Sequence, residues 1–231
     1  MNPRRETKVN DVAAYTLAEA ARYLRLPSAT LRSWVLGRQY PKAGGDGQFP
    51  PLLRPAHRGP LLLSFSNLIE AHVVRSLRTE HGVSVKALRS ALSYAEKELG
   101  IERLLLRQEL RTSAGKVFLE RYGELIDLSA SGQLAMRKLF EKHLSRIEWD
   151  SSKFPVRLYP FVSEAVEPSE ERPIVIDPRI AFGRPVVARK AISTSVIAER
   201  IDAGESVDDV ANDYDLGPSE VEQAILYERA A

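Results

Sequence analysis

Cysteine is absent from all 231 residues, which removes disulfide scaffolds, thiolate metal sites and thiol chemistry together. Long apolar runs are absent too. No stretch reaches the roughly 18 residues that a membrane-crossing helix needs, and the opening Met1-Asn2-Pro3-Arg4-Arg5 lacks the apolar core of a secretory signal. These absences predict a soluble, cytoplasmic protein without a membrane partner. Histidine is scarce: His57, His72, His81 and His143 are dispersed, with no spacing that would aim two of them at one metal ion. No Gly-x-Ser-x-Gly elbow, Walker loop or dinucleotide fingerprint occurs. Gly44-Gly45-Asp46-Gly47 is rich in glycine but follows Pro41-Lys42 and opens no helix, so it reads as a loop tip. The sequence points away from catalysis and calls for no cofactor and no metal.

What is present is charge, unevenly spread. Residues 1–100 carry 15 Lys+Arg against 8 Asp+Glu, residues 101–160 carry 11 against 8, and residues 161–231 carry 7 against 15. The net values are therefore +7, +3 and −8 along the chain. A basic head attracts phosphates and an acidic tail is repelled by them. The sign changes at 163–173, an acidic segment with proline and no hydrophobic period, which reads as a linker. The resulting division is a head over 1–100, a middle block over 101–162, the linker, and a tail over 174–231.

The head reads as helical around one long Pro/Gly-rich insertion, 38–60. Thr16 with Glu19 three residues on is a capping-box signature, and Leu17, Ala20, Ala21 and Leu24 give the helix one apolar face. After the turn Arg25-Leu26-Pro27, Ser28 is placed to cap a second helix with Leu31 and Val35 inward, Trp34 partly covering the core, and Gly37 at its end. Two short helices joined so closely make a helix-turn-helix. Its second helix enters the major groove by its N-terminal outward residues, which makes Ser28, Thr30, Arg32 and Ser33 the candidates for base and phosphate contacts. The strand-like Leu61-Leu62-Leu63-Ser64-Phe65 then sits where a wing would return, with Arg38, Arg54, His57 and Arg58 as its basic residues near the phosphate backbone. A third helix starts at Ser66 or Asn67, with His72 in its apolar stripe. A fourth covers 84–99, where Val85, Leu88, Leu92, Ala95 and Leu99 form a seam suited to either a dimer contact or an intrachain one.

Tyr15-Thr16-Leu17-Ala18-Glu19-Ala20-Ala21 with Thr30-Leu31-Arg32-Ser33-Trp34, and later Gly82-Val83-Ser84-Val85-Lys86-Ala87-Leu88, resemble the DNA-binding domain of the MerR family. The likeness spans 14–99 and implies a winged helix-turn-helix, although the segment between the motifs is longer and richer in proline than is usual there.

In the middle block, Leu104 to Leu110, 117–119 and 125–128 read as short strands of an antiparallel meander. A helix over 133–147 and a fourth strand over 154–161 follow. The block carries no chemical motif and is assigned a scaffold or dimerisation role. The tail begins with strands at Ile174-Val175-Ile176 and around Pro185-Val186-Val187. Three helices follow: one from Thr194 to Ala203, one capped by Ser206 with Asp209, and one starting at Gly217-Pro218-Ser219, with Glu222 three residues after Ser219. Val196, Ile197, Ile201, Val207, Val210, Ala211, Val221, Ala224 and Ile225 are its expected core. The last two helices again have helix-turn-helix proportions. Glu220, Glu222 and Glu228 on or beside the final one, with nothing nearby to neutralise them, make phosphate contact unfavourable and point to another protein, with a basic surface, as the partner of this unit.

Ile176-Asp177-Pro178, Phe182-Gly183-Arg184-Pro185-Val186-Val187, Gly204-Glu205-Ser206 and Ser219-Glu220-Val221-Glu222-Gln223-Ala224 resemble the domain-of-unknown-function family 433, found in antitoxins of bacterial toxin–antitoxin pairs. Arg189-Lys190-Ala191 stands where that family has Gly-Thr-Arg. The partner-binding candidates in this tail are Arg184, Arg189 and Lys190. Head and tail together resemble a VapB-type antitoxin of the larger, two-domain sort. That resemblance implies a homodimeric α+β protein, mainly helical, which neutralises a PIN-like ribonuclease toxin and represses its own operon at operator DNA. The alternative is a free-standing MerR-like regulator with a ligand-sensing central domain.

Overall fold

The computed structural model describes residues 9–42, 45–79, 85–98, 100, 102–106, 144–160 and 172–229. After a 3-10 turn at Val9–Asp11 and the short strand β1 (Tyr15–Thr16), helix α1 (Leu17–Tyr23) starts on the reciprocal box read from the sequence. The Glu19 amide donates to Thr16 Oγ1 at 3.2 Å, and the Thr16 amide donates to Glu19 Oε2 at 2.8 Å. Arg25, at φ 53°, turns the chain into α2 (Ser28–Leu36). Ser28 is the first helical residue rather than the cap, which falls on Pro27 and has no side-chain bond. Trp34 is fully buried with Leu31 and Val35, not half-covering the core as expected. At Gly37, φ 79° ends the helix, and a Cβ there would collide with the Phe49 carbonyl, so only glycine fits.

The Pro/Gly-rich insertion is more regular than its composition suggests. Strands β2 (Arg38–Lys42) and β3 (Gly45–Phe49) form an antiparallel hairpin in which Arg38 pairs with Phe49 and Tyr40 with Gly47. The missing side chain at Gly47 leaves room for the Tyr40 ring, which stacks on Phe49 at 4.2 Å between centroids. The chain then folds back on α2, with the Leu52 and Leu53 amides both donating to the Trp34 carbonyl at 2.7 and 2.9 Å. Strands β4 (His57–Arg58) and β5 (Leu61–Leu63) follow, and β5 also pairs with β1, giving the order β1-β5-β4.

Helix α3 (Phe65–Thr79) begins slightly earlier than the sequence suggests. Asn67 is its third residue, bonded reciprocally with Ser64 rather than opening the helix. Leu68, Ile69, His72, Val73 and Leu77 are all buried along it. In α4 (Val85–Glu98), Leu88 and Ala95 are buried in the same cluster and Val85 and Leu92 pack against it, so this seam faces the intrachain core.

Leu104–Leu106, expected as a strand, is a 3-10 turn with all three leucines buried against the core that α3 helps to form. The expected strands at 117–119 and 125–128, and the expected helix up to residue 143, lie outside the described residues. Ile147, placed by the sequence at that helix's end, belongs to strand β6 (Ile147–Trp149), which pairs with β7 (Pro155–Leu158). Ile176 bridges to Leu158 by two backbone bonds of 3.0 and 2.8 Å, which stitches the tail to this hairpin.

In the tail, β8 (Ile174–Val175), β9 (Val186–Val187) and β10 (Ile192–Ser193) form a sheet in the order β10-β9-β8. It carries α5 (Thr194–Asp202), α6 (Val207–Tyr214) and α7 (Pro218–Arg229). Ser206 caps α6 as expected, accepting from the Asp209 amide at 3.1 Å. The α7 box is shifted: the Gly217 amide donates to Glu220 Oε2 at 2.7 Å, and Pro218, lacking an N–H, occupies the first helical position where none is needed. The tail core gathers Ile174, Val187, Ile197, Val210, Leu216, Val221 and Tyr227, while Val196 is exposed rather than buried. The chain thus mixes helices with small antiparallel sheets, an α+β arrangement.

Candidate nucleic-acid and partner interfaces

The residues expected to meet DNA fall into two groups. Ser28 and Arg32 are exposed on α2 and Thr30 is half-buried, while Arg38 is exposed on β2, one residue beyond Gly37. Ser33 is turned back on its own helix, its hydroxyl donating to the Thr30 carbonyl at 2.7 Å. Arg54 and Arg58 are exposed too, but they line a different feature, a cleft of about 790 Å³ with Arg89, Glu96 and Arg103. Arg54 reaches Glu96 at 3.9 Å there. Arg32, Arg38 and Arg58 take part in no ion pair among the described residues. Sequence reasoning missed Gln39 and Gln48, which are exposed opposite each other on the β2–β3 hairpin. Their signal was hidden because the hairpin itself was read as irregular.

Two of the three acids of α7, Glu220 and Glu228, are engaged within the chain, which corrects the expectation that nothing neutralises them, while Glu222 is exposed. Glu220 receives Arg189 through Nε at 3.1 Å and Nη2 at 2.9 Å, and this guanidinium holds its carboxyl below the usual range. Lys190 pairs with Asp215 and lowers that carboxyl likewise. Glu228 accepts from Arg22 of α1 at 2.8 Å and from the Thr194 hydroxyl at 2.5 Å. Of the three cationic partner candidates, Arg189 and Lys190 are therefore bound to α7 and its approach. Arg184 is exposed and joins no ion pair among the described residues.

A seam between head and tail, invisible to sequence reasoning, runs beside α1 and the turn that follows it. The Tyr227 hydroxyl of α7 donates to the Tyr23 carbonyl at 3.0 Å, and the Arg25 guanidinium lies 5.3 Å from the Tyr227 ring centre. Burial pushes the Tyr227 and Tyr15 phenols far above their usual range. Gly183 packs so closely on Tyr15 that a Cβ would strike its hydroxyl. Asp177, 1% exposed, accepts from Arg157 Nε at 2.9 Å and from the Arg179 amide at 2.9 Å. Burial alone would raise its pKa, but these bonds and the two guanidinium charges hold it below the usual range.

Among the described residues, no three His, Asp or Glu side chains converge as metal ligands, and no helix is long and apolar enough to cross a membrane. Residues 174–227 match the family described as "Protein of unknown function (DUF433)". The chain is 31% identical over 234 aligned positions to the Mycobacterium tuberculosis protein named "Putative antitoxin VapB45", covering 93% of each. It is 25% identical to the uncharacterized protein Rv2308 of the same organism, covering 96% of this chain and 92% of that one. The crystal structure of Rv2018, also from Mycobacterium tuberculosis, superposes with a TM-score of 0.66 at 25% identity, covering 93% of this chain and 98% of that one. The chain belongs to the antitoxin family of VapB45, with a DUF433 region at its C-terminal end.

Proposed function

We propose that this chain is an antitoxin that represses its own operon. A MerR-like winged helix-turn-helix within 1–100 grips operator DNA, and the tail, 174–231, holds a PIN-like ribonuclease toxin in the cytoplasm. The observation that carries the DNA half is the pair of exposed arginines, Arg32 on α2 and Arg38 on the adjoining β2, left without an internal acid among the described residues. The acids of α7, by contrast, already hold Arg22 and Arg189. The name of the 31% identical relative supports the toxin half. The protein acts by binding, not catalysis. Its homodimer, with the middle block 101–162 as scaffold, presents two α2 helices to successive major grooves. Ser28, Thr30 and Arg32 meet base edges and phosphates, and Arg38 a phosphate.

Co-expression with the product of the adjacent gene, assayed as a ribonuclease, and a gel shift on the promoter test both halves. Arg32→Ala weakens operator binding by about 1–3 kcal/mol if it reads a base, and Arg38→Ala flattens the salt dependence by about one phosphate contact. Unchanged affinity and sequence preference in Arg32→Ala removes α2 from the reading role. Failure of the ribonuclease to co-purify ends the antitoxin reading.

One feature favours a variant of the second reading, a free-standing MerR-like regulator whose small ligand sits in the head rather than in the central domain. The mixed-charge cleft lined by Arg54, Arg58, Arg89 and Glu96 is roomy enough for a small molecule. A metabolite that raises the melting temperature and alters operator binding, with no toxin partner, would select it.

A further inference from the structure

Three successive residues of the tail turn adopt left-handed backbone: Ala181 at φ 47°, Phe182 at φ 55° and Gly183 at φ 77°. Glycine enters this region freely, but a bulky residue there is strained. The surroundings over-determine the turn. Amide donors close it from Ile180 to the Asp177 carbonyl at 2.9 Å, from Gly183 to Ile180 at 2.8 Å and from Arg184 to Ala181 at 3.1 Å. Behind it the buried Asp177 carboxylate is pinned by Arg157 and Arg179, and Gly183 is pressed on Tyr15 of the head. What this rigid turn presents is the Phe182 ring, 89% exposed. Packing within the chain therefore does not offset the strain. Arg184, two residues on, is exposed and outside every ion pair among the described residues. Glu19, close enough to act on it electrostatically, already accepts from the Thr16 amide and hydroxyl.

We propose that Phe182 is the anchor by which this chain holds its toxin, an aromatic knob entering an apolar pocket whose rim offers a carboxylate to Arg184. The proposal rests on the antitoxin reading above and gives it a contact surface. A folded protein fits better than a nucleic acid, although an exposed ring beside an arginine can also stack on a base. The reason is that residues 161–231 carry a net −8, which repels a phosphate backbone, while Arg184, the cation of the turn not already held by Asp177, suits a pocket with a carboxylate on its rim. A ring already fixed in place loses little freedom on binding, as befits an interface anchor. Because Gly183 rests on Tyr15, a partner seated on Phe182 lies against the seam between head and tail.

The test uses the full-length chain and the purified product of the adjacent gene, assayed as a ribonuclease, with dissociation constants measured by interferometry for the wild type, Phe182→Ala, Phe182→Gly and Arg184→Glu. Both Phe182 variants are expected to bind about tenfold weaker or worse. Phe182→Gly should melt no lower than the wild type, since glycine relieves the left-handed strain. Arg184→Glu should slow association at low salt, with the difference shrinking as salt rises. Toxin affinity within twofold of wild type in both Phe182 variants overturns the anchor and leaves the antitoxin reading intact. So does a Phe182→Gly chain that melts lower, because the ring then serves the fold. Loss of RNA, operator or self-association with toxin affinity retained assigns the ring to another occupant and equally overturns it. A wild-type chain that binds no ribonuclease removes the antitoxin reading and this proposal with it.

Discussion

At Tyr227 one phenol joins the two ends of the chain. Its hydroxyl is the donor for the carbonyl of Tyr23, a group left without an α-helical partner near the end of α1, and the ring supports the Arg25 guanidinium. Tyr227→Phe keeps the ring and removes the bond, so we expect a loss of about 1 kcal/mol. Differential scanning calorimetry should find this as a fall of about 2–4 °C in melting temperature; an unmoved melt would mean that the bond has no net weight. Tyr15 and Tyr227 also set a pH limit. Burial, the largest cause in both, raises the folded-state pKa above the ordinary tyrosine value. Stability from these groups is therefore fully present below about pH 10 and declines as pH rises above it, because the unfolded chain ionises first. Denaturant titrations between pH 8 and pH 11 should show this decline, and it should be smaller in Tyr227→Phe.

At the scale of elements, the capping motifs were the most legible part of the sequence. Thr16 with Glu19 and Ser206 with Asp209 act over three residues, so their geometry is set by the local chain alone. For α7 the start at Gly217-Pro218 was legible, but the carboxylate of the box was not: Pro218 at the first helical position makes Glu220, rather than Glu222, the residue that reaches back to the Gly217 amide. The β2–β3 hairpin was not legible. Its glycines serve close packing against Tyr40 rather than looseness, and composition does not distinguish the two. Gly37 is the joint that holds this hairpin to α2. Gly37→Ala, forced to φ 79° and into the Phe49 carbonyl, should cost about 1–3 kcal/mol in a urea titration. A variant as stable as the wild type would show that the hairpin can swing free of α2.

For the whole molecule, charge suggested a head and a tail acting separately, so deleting 163–231 would be expected to leave operator binding intact. The seam changes that expectation. Deletion removes the Ile176–Leu158 bridge, the Tyr227–Tyr23 bond and the Asp177 partner of Arg157. At about 1 kcal/mol each, these losses should lower the melting temperature on the order of 5–10 °C. Calorimetry on the truncated chain measures this, and fluorescence anisotropy at 15 °C reads operator binding below the lowered melt. An undiminished melting temperature would mean that head and tail are held together by nothing that matters to the fold. The same seam places the partner candidates of the tail beside the helices assigned to DNA.

The sequence by itself determined the helices of head and tail, two of their caps, the polarity of charge, and the absence of thiol chemistry and of a membrane-crossing helix. Each of these depends on residue type or on neighbours within about one helical turn. Tertiary structure alone decided which charges remain available. Arg189 meets Glu220 across 31 residues, Arg22 meets Glu228 across 206, and Tyr227 meets Tyr23 across 204. The partner of a charged side chain is fixed by how elements stack, and no local pattern encodes that geometry. The sequence counted the acids of α7 as free, and the fold pairs Glu220 and Glu228, leaving Arg32, Arg38 and Arg184 exposed and outside the ion pairs of the described residues.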